Sequence, residues 1–251
     1  MPEISIITPT YNSEKTIGGT INALLRQSFS DFEYIIIDGL SKDNTVAKIK
    51  SYITAFEQKG ISVRIVSEKD SGVYDAMNKG VSMAKGKLIG ITNSDDWYED
   101  HALEVMWNMF SQVKNQSNTM LYGIERVWKG EHVYNVQRRG ATYISEGSMP
   151  HSTFFVSKDV YEKFGAFDLS VRILADYDFI CRCVSKGVEL IEVDEIVSNF
   201  RLGGISSSYF DYYKDLHTIQ HKYGFISHSQ YKQHLRSLQV KKIINRFINR
   251  W

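Results

Sequence analysis

Proline and cysteine are both scarce in this chain: three prolines and two cysteines in 251 residues. So few prolines leave long segments free to form regular structure. Cys181 and Cys183 fall within one helical pattern, where their side chains point in different directions. A structural disulfide is therefore not expected, and a reducing compartment suits the chain. No apolar run approaches the ~20 residues that cross a bilayer. The first residues enter a strand-like run without the basic and apolar segments of a signal peptide, so the expected location is cytoplasmic. Missing too are a Gly-x-x-x-x-Gly-Lys-[Ser/Thr] loop and a Gly-x-Gly-x-x-Gly fingerprint. A P-loop nucleotidase or a dinucleotide oxidoreductase would lack its phosphate cradle. Acidic residues stop at Asp215, while Lys222, Lys232, Arg236, Lys241, Lys242, Arg246 and Arg250 follow. The net charge of +1 thus hides a basic tail on a core with no basic excess, which argues against nucleic acid as a partner.

The remainder is ordinary globular material, with 43% hydrophobic and 24% charged residues. In the first hundred residues short apolar runs alternate with helical periodicity. Ile4–Thr8, Tyr34–Asp38, Val63–Ser67 and Leu88–Thr92 read as strands; Glu14–Arg26, Thr45–Glu57 and Val73–Lys85 read as helices. The implied fold is α/β, a mostly parallel central sheet flanked by helices. Further strands are expected at Leu121–Lys129, His132–Val136, Thr153–Val156 and Val188–Val193, a helix at Ala175–Lys186, and helical structure from Ser206 onward. Ligands of such sheets bind beyond the carboxyl ends of the strands. Polar clusters stand at three of those ends: Thr8-Pro9-Thr10-Tyr11-Asn12, Asp38-Gly39-Leu40-Ser41-Lys42-Asp43 and Asn93-Ser94-Asp95-Asp96.

The last cluster places oxygen-bearing side chains on a strand-to-helix turn. Mg²⁺ and Mn²⁺ take one or two carboxylates from a protein and complete their shells with phosphate and water. Asp95 and Asp96 can hold such an ion against a diphosphate, or can simply cap the next helix. Thr8, Tyr11 and Asn12 offer an aromatic plane and hydrogen-bonding groups to a nucleobase, and Asp38 can accept a base N–H. Read one at a time, each of these is equally a turn former.

The ordered series Ile6-Ile7-Thr8-Pro9-Thr10-Tyr11-Asn12, Ile37-Asp38-Gly39-Leu40-Ser41-Lys42-Asp43-Asn44-Thr45, Asp75-Ala76-Met77-Asn78-Lys79-Gly80, Asn93-Ser94-Asp95-Asp96 and Ala175-Asp176-Tyr177-Asp178 resembles the family 2 glycosyltransferases of GT-A fold, over about Pro2 to Ser207. The resemblance implies an inverting transferase of bacterial surface-glycan assembly. It divides the chain into a transferase domain at 1–207 and an extension at 208–251. Within the domain, 1–98 would bind the nucleotide sugar and 99–207 would serve acceptor and catalysis. By this likeness Thr8, Tyr11 and Asp38 bind the nucleoside, and Asp95, with Asp96, holds Mg²⁺ or Mn²⁺ beside Asn93 and Ser94. Asp70 is a donor contact, and His151 lies near the diphosphate or acceptor. Arg201 meets a phosphate from the loop Arg201-Leu202-Gly203-Gly204-Ile205-Ser206. The chain departs from the family pattern at Asn93, where an acid is usual, at Asp38-Gly39 in place of a longer acidic pair, and at Ala175-Asp176, where a Glu-Asp pair is frequent. Asp176 remains as the base, with Asp178 turned elsewhere on the same helix.

An acceptor hydroxyl needs a carboxylate to take its proton during attack, and the leaving diphosphate needs its charge stabilised. The implied partners are a nucleotide sugar, with UDP favoured, and a glycan or lipid-linked saccharide. In the tail, Leu235, Leu238, Ile243, Ile244, Phe247, Ile248 and Trp251 recur at helical spacing, with Arg236, Lys242, Arg246 and Arg250 largely off that face. Such a helix can lie on the inner face of an anionic membrane, or pack on the main domain or on a second copy in a homodimer. Two rival readings stay open: a degenerate module that binds a nucleotide sugar without turnover, and a sugar-phosphate nucleotidyltransferase.

Overall fold

The computed structural model describes residues 1–203 and 209–248, with backbone alone for 209 and 243–248. Gly204, Ile205 and Ser206 of the expected loop, the 207/208 boundary, Arg250 and Trp251 lie outside the described residues, as do the side chains of Ile243, Ile244, Arg246, Phe247 and Ile248.

Four parallel strands form the first half of the sheet. These are β1 (Ile4–Thr10), β2 (Phe32–Asp38), β3 (Ser62–Ser67) and β4 (Leu88–Ile91), in the order β3-β2-β1-β4. β1 and β2 are buried at every position, which is why they read as continuous apolar runs. Alternate side chains feed two cores. Ile7, Ile35, Ile37, Ile89 and Ile91 face one side, Ile4, Ile6, Tyr34, Ile36 and Leu88 the other. The first side is covered by α4 (Val73–Met83), α7 (Ala175–Ser185) and α8 (Tyr209–Lys222), the second by α1 (Ile17–Leu25), α3 (Ile53–Gln58) and α5 (Ala102–Gln112).

The single helix expected over Thr45–Glu57 is two helices, α2 (Thr45–Lys50) and α3. Between them the Ser51 hydroxyl donates back to the Lys48 carbonyl at 2.6 Å, competing with the helical ladder.

Beyond β4 the sheet is mixed. The added strands are β5 (Trp97–Tyr98), β6 (Thr119–Lys129), β7 (His132–Gln137), β8 (Phe155–Ser157) and β9 (Glu189–Arg201). β8 joins the halves, antiparallel to both β4 and β6, while β6 and β9 run parallel. β9 outruns the expected Val188–Val193. Tyr122 pairs with Glu192 and Ile124 with Ile196, so Asp194 and Glu195 bulge from the ladder and the strand resumes toward Arg201. α6 (Lys158–Phe164) follows β8, and α8 leads to α9 (His228–Ile248). Cys181 and Cys183 are free and buried on α7, where burial pushes both thiols up to about 12. Among the described residues no helix is long and apolar enough to cross a membrane.

Candidate active site

The loops after β1, β2, β3 and β4 converge beyond the carboxyl edge of the parallel strands. Asn12, in the left-handed region at φ 50°, accepts from the Lys42 N–H at 2.8 Å and donates its own N–H to Ser41 Oγ at 2.8 Å. This stitches the β1 loop to the β2 loop. Leu40 is also left-handed, at φ 59°, and non-glycine residues hold such angles where surrounding contacts enforce them. Tyr11 and Leu40 are exposed at 52% and 50%, large apolar groups left at the mouth of this crevice. Tyr11 thus stands where a base could stack. Leu40 is an addition, for which the sequence carries no signal.

Two expected nucleoside contacts are placed otherwise. Thr8 is wholly buried and shares the face of Ile4 and Ile6, where its hydroxyl accepts from Tyr34 at 3.1 Å. The strand's two-residue alternation turns it from the crevice. Asp38 is also fully buried. Ser41 Oγ donates to its Oδ1 at 2.5 Å, while Ser67 Oγ at 2.6 Å and the Ser41 N–H at 3.1 Å donate to its Oδ2. It offers no open oxygen to a base N–H, and shapes the crevice through the Ser41 turn. Asp70 accepts from the Gly72 N–H at 3.0 Å and lies over Gly39, where an added Cβ would stand 2.5 Å from its Oδ2. Only glycine lets that carboxylate settle against the β2 loop.

The turn after β4 is pinned from below. Thr20 on α1 donates to the Asp96 carbonyl at 2.7 Å, and Ser94 Oγ meets Ser13 Oγ at 2.7 Å. Of the two expected metal carboxylates, Asp96 is buried, its Oδ1 accepting from the Arg201 N–H at 2.9 Å and its Oδ2 from Asn93 Nδ2 at 3.1 Å. Burial, then the neighbouring Asp95, push it up to about 8. It serves the turn and the end of β9. Asp95 is half-buried; burial raises its carboxyl, opposed by Arg201 and His151. Arg201 is exposed, with its guanidinium 5.1 Å over the Trp97 ring and Nε 3.4 Å from the Asp95 carbonyl. A cation and a carboxylate thus share the rim where a diphosphate would lie. No group of three or more His, Cys, Asp or Glu among the described residues could hold a metal by itself. Asp95 alone fits an ion that draws most of its shell from phosphate and water.

Asn93 joins the turn after β4 to Asp176 by way of His151. Its amide Nδ2 lies 3.4 Å from His151 Nε2. Across the ring, His151 Nδ1 faces Asp176 Oδ2 at 3.5 Å. Asp176 opens α7 and is 7% exposed. Its other oxygen meets the Tyr74 hydroxyl at 2.9 Å. Behind this pair a small apolar cavity of about 20 Å³ is lined by His151, Asp176, Phe154, Tyr161, Phe167 and Phe179, among others. Asp178, two residues on, is fully buried and accepts from Lys222 at 2.7 Å. It faces α8, as its position on the helix implies.

The Asp75-Ala76-Met77-Asn78-Lys79-Gly80 series is a fastening device. Asp75 accepts from the Ser71 N–H, the Asn78 amide exchanges two 2.9 Å bonds with the Phe167 backbone, and Lys79 pairs with Glu68 at 2.8 Å.

A mixed sheet flanked by helices, with four parallel strands at one side and an acidic turn after the fourth, is the GT-A architecture of glycosyltransferases. The family model for glycosyl transferase family 2 matches residues 5–165, and the chain belongs to that family. The PGL/p-HBAD biosynthesis glycosyltransferase of Mycobacterium bovis is 28% identical over 219 residues, covering 84% of this chain and 81% of that protein. The uncharacterized glycosyltransferase Rv1514c of Mycobacterium tuberculosis is 27% identical over 214 residues, covering 82% and 78%. Among solved structures, S. aureus TarS 1–349 in complex with UDP-GlcNAc superposes with a TM-score of 0.70 at 18% identity, over 95% of this chain and 72% of that one. The chain spans 39% of the longer TarS structure. The mannosyltransferase PcManGT of Pyrobaculum calidifontis, in complex with GDP-Man and Mn2+, has a TM-score of 0.62 at 18% identity, over 85% and 60%.

Proposed function

We propose that this glycosyltransferase moves a sugar from a nucleotide-sugar donor, a UDP-sugar in preference, to a hydroxyl of a glycan or lipid-linked saccharide, inverting the anomeric centre. The observation that supports the reading is the placement of two carboxylates on different elements of the crevice. Asp95 stands at the diphosphate rim beside Arg201, and Asp176 stands across the crevice, reached through Asn93 and His151. Asp176 takes the proton of the acceptor hydroxyl as its oxygen bonds to the anomeric carbon. The bond from that carbon to the diphosphate breaks with its electron pair on the leaving oxygen, whose charge Arg201 meets. One base and attack from the opposite face give inversion without a covalent intermediate. A Mg²⁺ or Mn²⁺ held at Asp95 would supply Lewis-acid stabilisation of the leaving diphosphate. Tyr11 and Asn12 border the base, and Asp38 and Asp70 shape that wall indirectly. Work on a lipid-linked acceptor would place the protein at the inner membrane surface, with the basic α9 as contact.

The test is binding and slow hydrolysis of UDP-, GDP- and dTDP-sugars with Mn²⁺ or Mg²⁺, for the native chain, Asp95→Ala and Asp176→Asn. Metal-dependent binding should be lost in Asp95→Ala, while Asp176→Asn binds normally and turns over at least ~100-fold more slowly. Binding without turnover in the native chain would favour a degenerate binding module. No binding of any donor would favour the nucleotidyltransferase.

A further inference from the structure

The base has a support that no sequence motif announces. Tyr74, at the start of α4, packs its ring 5.6 Å from that of Phe167 and reaches α7 with its hydroxyl. There the phenol oxygen lies 2.5 Å from the Ile173 carbonyl and 2.9 Å from Asp176 Oδ1. The residue whose carbonyl shares this proton is held at its other end too: the Ile173 N–H donates to Asp215 Oδ2 on α8 at 2.9 Å. Three helices therefore meet at the carboxylate. Burial and the charge of Asp176 both push the Tyr74 phenol up, so it stays protonated and acts only as a donor here. On its other side Asp176 presents Oδ2 to His151 Nδ1 at 3.5 Å, longer than a formed hydrogen bond.

We propose that Tyr74 is the positioning residue of Asp176: its hydroxyl ties down Oδ1, so that Oδ2, on the His151 side, receives the acceptor proton. The proposal rests on the reading of Asp176 as base. Chemically, the acceptor O–H breaks with its proton passing to Oδ2, while Oδ1 keeps the Tyr74 hydrogen bond through the transfer. The carboxylate thus meets the acceptor already oriented, with its rotation blocked. A phenol that merely filled space would make none of these bonds, and phenylalanine would replace it without consequence.

Tyr74→Phe keeps the ring and removes the donor. In ¹³C-carboxyl NMR of the unliganded protein at fixed pH, the resonance of residue 176, assigned by its disappearance in Asp176→Asn, should change its chemical shift and broaden in Tyr74→Phe relative to the native chain, as the hydrogen bond to Oδ1 is lost and the carboxylate is freed to rotate. In hydrolysis of UDP-N-acetylglucosamine with Mn²⁺, kcat should fall about 10- to 100-fold with KM within about twofold. Tyr74→Met, which also cannot donate, should behave alike and serves should Tyr74→Phe fold poorly. An unmoved resonance, or native kcat, overturns the proposal. Native turnover by Asp176→Asn would instead overturn the base itself, so the two failures are told apart.

Discussion

Glu125 shows how far a single side chain can depart from its water chemistry in this fold. It lies on β6, 5% exposed, with Ser152 donating to its Oε1 at 2.7 Å and Ser198 Oγ 3.1 Å beyond. Burial pushes its carboxyl up from 4.5 to about 7, against the Ser152 hydrogen bond and Arg139. Between these two values the folded chain keeps a proton that the unfolded chain has released. Stability therefore falls as pH rises from about 4.5 through 7 and is level above, by about 2 to 3 kcal/mol. Glu125→Gln keeps an acceptor for Ser152 and cannot ionise. Its melting temperature should match the native value near pH 5 and exceed it by several degrees at pH 8; equal melts at pH 8 would mean Glu125 ionises there at no cost. The residue scale is also where sequence reading was least complete. Thr8 and Asp38 sit in the expected clusters, yet strand alternation buries one and the Ser41–Ser67 pair encloses the other. Tyr74 and Asp176 meet across 102 positions of chain, a pairing that no local pattern encodes.

Elements were more legible, because burial writes periodicity into them. The four parallel strands and the helix carrying Asp176 lie where apolar runs and helical spacing put them, to within a few residues at each end. What escaped was set by local competition or by pairing. Ser51 breaks α2 from α3, Asp194-Glu195 hides the continuation of β9, and Trp97–Tyr98 is too short to show alternation. Gly80 lets α4 lie close on β1: a Cβ there would stand 2.3 Å from Ile7 Cγ2 in the core. Gly80→Ala must push α4 off β1, at about 1 to 3 kcal/mol. Because α4 also carries Tyr74, the loss of turnover should exceed what the unfolded fraction explains. The check is kcat of Gly80→Ala well below its melting temperature; native kcat there would show that α4 can shift without disturbing the carboxylate.

At the scale of the whole molecule, α8 and α9 do not behave as one appendage. α8 belongs to the core: Leu216 and Ile219 are buried in it, Asp215 holds Ile173, Lys222 and the Tyr223 hydroxyl reach Asp178, and the Gln220 amide donates to the Ser145 and Glu146 carbonyls. α9 packs chiefly on α8, through a seam of rings: His217 stacks on His234 at 4.0 Å, and His221 on Tyr231 at 4.6 Å. Burial lowers the pKa of His217 and the nearby His234 lowers it further, while Gln220 opposes both, so the contribution of its neutral ring is lost as pH falls below about 6.5. Lys232, Arg236, Lys241 and Lys242 are exposed on α9. Support of the helix that carries Asp176 thus falls to α8, and the membrane contact proposed above would fall to α9. A chain ending at Ile226 should melt within about 3 °C of the full chain and keep its hydrolysis rate, since none of the bonds to Ile173 or Asp178 is lost. The same truncation should abolish flotation with vesicles rich in anionic lipid, which the full chain should show at low salt and lose at high salt. A large drop in melting temperature would place α9 within the core. Equal flotation of both chains would move the surface contact elsewhere, and no flotation by either would leave α9 to a partner chain.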